Sequence, residues 1–221
     1  CENNGAIKGK QRIGGIIGAS NMDTEISGCV NKGNVTGSNS NVGGIVGALA
    51  TSSGCGTVQN CENHGTITIT TSNPNVGGIV GTATSSATSD IEISNCVNIG
   101  TISTANNNCA GGIIGNAAKA TISNCLNLGT VTAKENAGGI LGYSADNITL
   151  SNSFNAGKIV GSSYSNAGIA GYVKAGTLTN CINIGLVTSG VAITSTTPTI
   201  SNCFYDSQTS VVTGSGTAKL T

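Results

Sequence analysis

One landmark, of the form C-x-N-x-G-x-[IV] and usually preceded by Asn, constrains this chain more than any other feature because it keeps returning. It reads CENNGAI from Cys1, CVNKGNV from Cys29, CENHGTI from Cys61, CVNIGTI from Cys96, CLNLGTV from Cys125, SFNAGKI from Ser153 and CINIGLV from Cys181, with a truncated NCFYD from Asn202. Successive anchors lie 28, 32, 35, 29, 28, 28 and 22 residues apart, so the unit is about 28 residues with loop insertions in the second and third copies. A second landmark follows each of the first six anchors: GGIIG at Gly14, GGIVG at Gly43 and Gly77, GGIIG at Gly111, GGILG at Gly138 and AGIAG at Ala167. A third closes units, as in Thr121-Ile122-Ser123-Asn124, Thr149-Leu150-Ser151-Asn152 and Thr199-Ile200-Ser201-Asn202. A period of this size marks a repeat architecture whose units cannot bury an apolar face alone but can when stacked.

Three short β-like segments per unit, punctuated by Gly and Asn, leave no room for a helix. The expected fold is therefore all-β: a parallel β-helix, or β-solenoid, of about seven coils with roughly three short strands per coil. Each strand pairs with its equivalent one coil away at about 4.8 Å, making a rod about 30 Å long. Residues 1–202 form the repeat array and residues 203–221 a C-terminal capping segment.

Composition narrows what such a rod can do. Only 8% of residues are charged, 9 basic against 9 acidic, and there is a single Arg. This removes the basic footprint that phosphate backbones require, so nucleic acid is not an expected partner. The longest apolar stretch, Val42 to Ala50, is nine residues with three glycines, far short of the ~20 that span a bilayer. The chain opens on a repeat Cys without an initiator Met or signal peptide and reads as a mature or excised fragment. Cys1 shares the register of the other repeat cysteines, which argues against an acylated lipoprotein terminus.

Strand alternation assigns faces. The residues flanking the repeat Asn are Glu2 and Asn4, Val30 and Lys32, Glu62 and His64 in the first copies, and such charges do not enter an apolar lumen. Cys, Asn, Gly and the following Ile or Val then face inward. Cys1, Cys29, Cys61, Cys96, Cys125, Cys181 and Cys203 form a buried thiol column, and Asn31, Asn63, Asn98, Asn127, Asn155 and Asn183 an amide ladder. In later copies the flanking positions turn apolar: Val97 and Ile99, Leu126 and Leu128, Phe154 and Ala156, Ile182 and Ile184, then Phe204. Facing outward they make a docking surface for another domain, a terminal extension or a partner; with the strand phase flipped they are core.

The coupling of NCxNxG to a later GGIVG resembles the GLUG repeats of bacterial surface proteins, also present in IgA-specific metallopeptidases, with Ile in the usual Leu slot. The end, CFYDSQTSVVTGSGTAKLT from Cys203, resembles the segment that closes such arrays. The resemblance implies a secreted or cell-surface bacterial protein in which the repeats are non-catalytic structural or adhesive modules, with any activity elsewhere in a longer polypeptide.

Residues that carry chemistry are sparse. In-register neighbouring thiols have the right Cα spacing for disulfides but parallel Cβ vectors, so free thiols are expected; Cys55 and Cys109 fall off the column. There is no CxxC, no Cys/His cluster with metal spacing and no cofactor motif, so neither metal nor cofactor is expected. Glu2 and Glu62 are separated by Val30, and Glu25 and Glu92 by Thr57, which does not make the paired carboxylates of a glycosidase. Asp23, Asp90, Asp146 and Glu135 read as loop residues and His64 as an exposed rung residue. No enzymatic activity is expected. An alternative is a flat hydroxyl face for glycan or ice: Thr66 and Thr68, Thr101 and Ser103, Thr130 and Thr132 recur on successive coils, and Thr121, Thr149, Thr177 and Thr199 make another column, although Thr also simply suits outward strand positions. Exposed coil ends and the apolar column also allow self-association into filaments.

Overall fold

In the computed structural model the described residues are 1–21, 23–39, 41–51, 55–70, 75–85, 91–104, 109–162, 165–208 and 214–219. Among them there is no helix, and every strand pairing is parallel and joins one coil to the next. The chain is a parallel β-solenoid. The coil is more finely divided than three strands. The second coil runs through Val30–Asn31, Val35–Gly37, Val42–Gly43, Val46–Thr51 and Gly56–Gln59, five short strands. The Asn-x-Gly and Gly-Gly turns bend the backbone after two or three residues, so no strand there lengthens. Equivalent strands stack into four sheets of nine, six, five and eleven strands, here numbered 1 to 4 in that order. In later coils the last two segments fuse into the long strands Leu141–Ser151 and Ala170–Thr179 of sheet 4. Asp146 therefore lies within a strand, at an irregularity between Ser144 and Asn147, and not in a loop; Asp90 is outside the described residues.

The interior holds two apolar cores. The larger contains the thiol column together with Ile45, Ile79, Ile113, Ile140 and Ile169 from the Gly-Gly landmark; the smaller, between sheets 2 and 3, holds Val35, Val42, Ile67, Val76, Ile102 and Val131. Between them runs the Asn ladder. From Asn31 to Asn183 every one of these amides is fully buried. Each Nδ2 donates to the Oδ1 of the Asn one coil on, in a continuous series from Asn3 to Asn183 at 2.7–2.8 Å. The second hydrogen of each goes to the carbonyl of the Gly two residues later, as from Asn98 to Gly100 at 2.9 Å. The amides thereby satisfy themselves and the turn they sit in. Tyr205 takes the next rung and ends the series.

The Gly-Gly landmark is the other side of this contact. A Cβ at Gly78 would collide with the Asn98 amide and with Gly112 O, and one at Gly44 with Asn63 and Gly78 O. Only bare backbone allows the amide of each coil to lie flat on the Gly-Gly turn of the coil before.

The Asn that precedes the repeat Cys has a separate role. Asn60, Asn95, Asn124, Asn152, Asn180 and Asn202 all take left-handed backbone, φ 49 to 55°, and Gly28 holds the equivalent place at 60°. Among residues with side chains, Asn tolerates this region best. The following Cys then turns its thiol back to the carbonyl two residues before it, as Cys96 Sγ to Ser94 O at 3.2 Å and Cys125 Sγ to Ser123 O at 3.2 Å. Ser153 does the same with its hydroxyl, to Ser151 O at 2.8 Å, which explains how Ser fills a Cys slot. All nine cysteines are free thiols.

At the N-terminal end, Cys1 is exposed and Asn3, Ile7, Ile16 and Ile17 are half-buried, with the second coil packed against the first. At the other end Thr217–Lys219 adds a parallel rung to Phe204–Asp206, and Gly216 lies against Ile193.

Replacing Asn98 by Ala should cost about 3 kcal/mol in urea unfolding, since it leaves the amides of Asn63 and Asn127 buried without their partner; Asn3→Ala, at the open end, should cost under about 1 kcal/mol. Equal costs at the two sites would show that the ladder is not a connected unit.

Candidate functional site

The outer face of sheet 1 carries two in-register columns. One runs Glu2, Val30, Glu62, Val97, Leu126, Phe154, Ile182, Phe204. The other runs Lys32, His64, Ile99, Leu128, Ala156, Ile184, whose backbone amides bond to the Asn of the previous coil. Of the two phases open to the apolar residues, the structure takes the outward one: Ile99, Leu128 and Ile182 are 45%, 46% and 38% exposed, and Val97, Leu126, Phe154, Ile184 and Phe204 are half-buried. The inward phase belongs to the Asn ladder, which must be continuous to be satisfied.

The face is divided by chemistry along its length. Its N-terminal part is polar, with an ion pair of Lys32 Nζ 2.7 Å from Glu2 Oε1 and a hydrogen bond between His64 Nε2 and Glu62 Oε2 at 2.9 Å; the bond from Lys32 lowers the Glu2 carboxyl below its usual value. From Val97 onward it is apolar and holds both of the chain's phenylalanines, with Lys219 Nζ 5.4 Å from the Phe204 ring centre. Near its C-terminal end a groove of about 300 Å³ is lined by Asn180, Ile182, Asn202 and Phe204.

The hydroxyl residues lie on two further faces. On sheet 2, Thr36, Thr68, Ser103 and Thr132 are successive partners, flanked by Lys8 and Val160. Thr66, Thr101 and Thr130 make a parallel column whose carbonyls receive the amides of the preceding coil. On sheet 4, Thr121, Thr149, Thr177 and Thr199 are in register. Beside them lies a column that the Thr spacing alone did not single out, Ser123, Ser151, Thr179 and Ser201. The signal for it was present in the closing T-x-S-N landmark. The turn asparagines continue this surface toward sheet 1: Asn180 Nδ2 donates to Asn152 Oδ1 at 3.0 Å and Asn202 Nδ2 to Asn180 Oδ1 at 3.2 Å. Tyr143 and Tyr172 stack on each other, ring centres 5.1 Å apart, elsewhere on sheet 4.

Glu25, Thr57 and Glu92 occupy successive rungs, and Gln59 Nε2 bonds Glu25 Oε1 at 3.0 Å. A depression of about 500 Å³ is lined by Asp23, Thr24, Glu25, Cys55 and Thr57. Among the described residues no three of His, Cys, Asp and Glu are placed to hold a metal ion. Within the thiol column the neighbouring Cys125 sulfur and burial push Cys96 up to about 12, and Cys61 is raised by Cys96 in the same way. At the last rungs the neighbouring Cys181 sulfur lowers the Cys203 thiol below its usual value, while Cys181 itself is raised. Cys109, off the column, is pushed up to about 11 by burial.

Set against models of known protein families and against curated proteins, the chain matches none. Among solved structures it is similar to a crystal structure described as "a putative immunoglobulin A1 protease from Bacteroides ovatus", with 19% identity, a TM-score of 0.49, and a match covering 96% of this chain and 68% of that one.

Because only the thiolate is alkylated, Cys109 should react with iodoacetamide far more slowly than exposed Cys55 at pH 8. Its rate should keep climbing with pH and level only near pH 11. Peptide mass spectrometry after timed labelling reads this out, and levelling near pH 9 would contradict the burial assigned to it.

Proposed function

We propose that the chain is a non-catalytic structural and adhesive repeat module of a secreted or cell-surface bacterial protein, serving as a stalk or an interaction surface for other domains of a longer polypeptide or for an external partner. The repeats' resemblance to the GLUG family of bacterial surface proteins supports this reading, and membership of that family is part of the proposal. The observation that carries it is the division of sheet 1. A solid, self-satisfied interior sets an outer face on regular rungs, and that face changes from hydrogen-bonded polar and charged side chains to an apolar strip from Val97 to Phe204. An apolar strip on a regular scaffold is a common mark of a contact surface.

Antibodies raised against this chain should label intact cells of a bacterium expressing the full-length protein, and external protease should remove the label. Label that appears only after the cells are broken would overturn the reading.

A second reading rests on sheet 2, where seven hydroxyls stand in two registered columns, Thr36, Thr68, Ser103 and Thr132 beside Thr66, Thr101 and Thr130. A flat array of this kind suits ice or a glycan. It predicts slowed ice recrystallisation by the purified chain, lost in Thr68→Lys; ice that coarsens as fast as in buffer removes the ice form of this reading.

A further inference from the structure

We infer that the groove between the turn asparagines and the apolar column of sheet 1 is a binding site for an uncharged, linear polysaccharide segment lying along the solenoid axis. This names a partner for the surface-module reading and rests on it. The site is a boundary between two chemistries on successive rungs. On one side Asn152, Asn180 and Asn202 form an exposed amide row, joined at 3.0 and 3.2 Å. Each of the two bonds uses one of a donor amide's two hydrogens and leaves the second for a ligand. Behind them stand the hydroxyls of Ser151, Thr179 and Ser201, the last two 3.2 Å apart. On the other side are Phe154, Ile182 and Phe204, and the groove of about 300 Å³ opens between the two sides, at Asn180, Ile182, Asn202 and Phe204.

A pyranose ring presents the matching pair of surfaces, C–H groups on its faces and hydroxyls around its rim. A mostly apolar wall with a few fixed polar groups is the common composition of a small-molecule site. Three features select a neutral glycan over other occupants. The groove lining carries no ionic group, and Lys219 is engaged over the Phe204 ring, so a ligand bearing a charge on every unit finds no matching row of partners. The apolar strip is narrow: two side chains wide and five rungs long, it covers on the order of 300 Å² by the strand spacing, less than the apolar half or so of the ~800 Å² per partner that a standard protein interface buries. It is also linear, with polar groups repeated at each rung of about 4.8 Å, close to the length of one sugar ring. A chain laid along the axis therefore meets an equivalent set of donors ring after ring. The left-handed backbone at Asn180 and Asn202, φ 55 and 50°, sets the turns, and the bonds between neighbouring amides hold the side chains in place, so less ordering is needed on binding.

The test is calorimetric titration of the purified chain with cellohexaose, xylohexaose, mannohexaose and laminarihexaose, beside the double variant Asn180→Gly/Asn202→Gly. Gly accepts the same φ, so the turns persist while the amides go, and thermal unfolding checks that they do. At least one oligosaccharide should bind the native chain, and the double variant should bind it at least tenfold more weakly with little change in melting temperature. Thr68→Ala/Ser103→Ala/Thr132→Ala, on sheet 2, should bind as the native chain does. The inference is overturned if none of the four sugars binds, if the double variant binds unchanged, or if the sheet 2 variant is the one that loses binding. It is also overturned if light scattering shows the apolar strip buried in a dimer that Leu128→Lys disperses. Cells labelled at their surface by a chain that binds no sugar would remove the groove and leave the surface module standing; sugar binding by a chain never exposed on cells would do the reverse.

Discussion

The whole solenoid depends on one contact, the asparagine amide laid flat on the Gly-Gly backbone of the preceding coil. A buried amide is costly unless both of its hydrogens and its oxygen find partners. Here each amide finds them in the next amide and in its own turn, so the arrangement is stable only as a column. That requirement sets the register of every coil, because a shift by one residue would put Glu62 or Leu126 where Asn63 or Asn127 must be. It also separates the interior into two apolar cores, which explains why a chain with few large side chains can still exclude water on both sides of a thin wall of amides and glycine backbone.

The low charge of the chain follows from the same contact. Because the turns are made by side-chain amides and left-handed asparagines, and because hydroxyls cover sheets 2 and 4, few ionic groups are needed at the surface. Those present are gathered mainly on early coils and near the ends. The later rungs of sheet 1 are left with apolar side chains on backbone that cannot turn them inward, since the inward positions are taken. An exposed apolar strip on such a backbone is not relieved by repacking, since the inward positions belong to the Asn ladder.

Much of this was legible in the residues. The period, the all-β class and the inward Cys and Asn columns follow from the spacing of the anchors and from charges at Glu62 and His64 that exclude the other phase. The stack of Thr121, Thr149, Thr177 and Thr199 was also readable. Other features were hidden for identifiable reasons. Five strands replace three because Gly-Gly turns interrupt the ladder without any change of residue type that alternation could register. Asp146 looked like a loop residue because Asp is rare in strands, yet it sits at a bulge in a long one. The column of Ser123, Ser151, Thr179 and Ser201 was masked by the Thr pattern beside it.

By itself, then, the sequence determined the repeat, its handful of inward-facing columns and the residue types each coil offers, because those are local properties of a 28-residue unit. Only the tertiary structure decided which way the apolar residues from Val97 to Phe204 face, that the two landmarks are halves of a single contact, and that Asn180 and Asn202 line a groove beside Ile182 and Phe204. These are relations between coils. A stretch of chain specifies its own turn, but whether an amide is satisfied, or an isoleucine uncovered, depends on what the coil before and the coil after place against it.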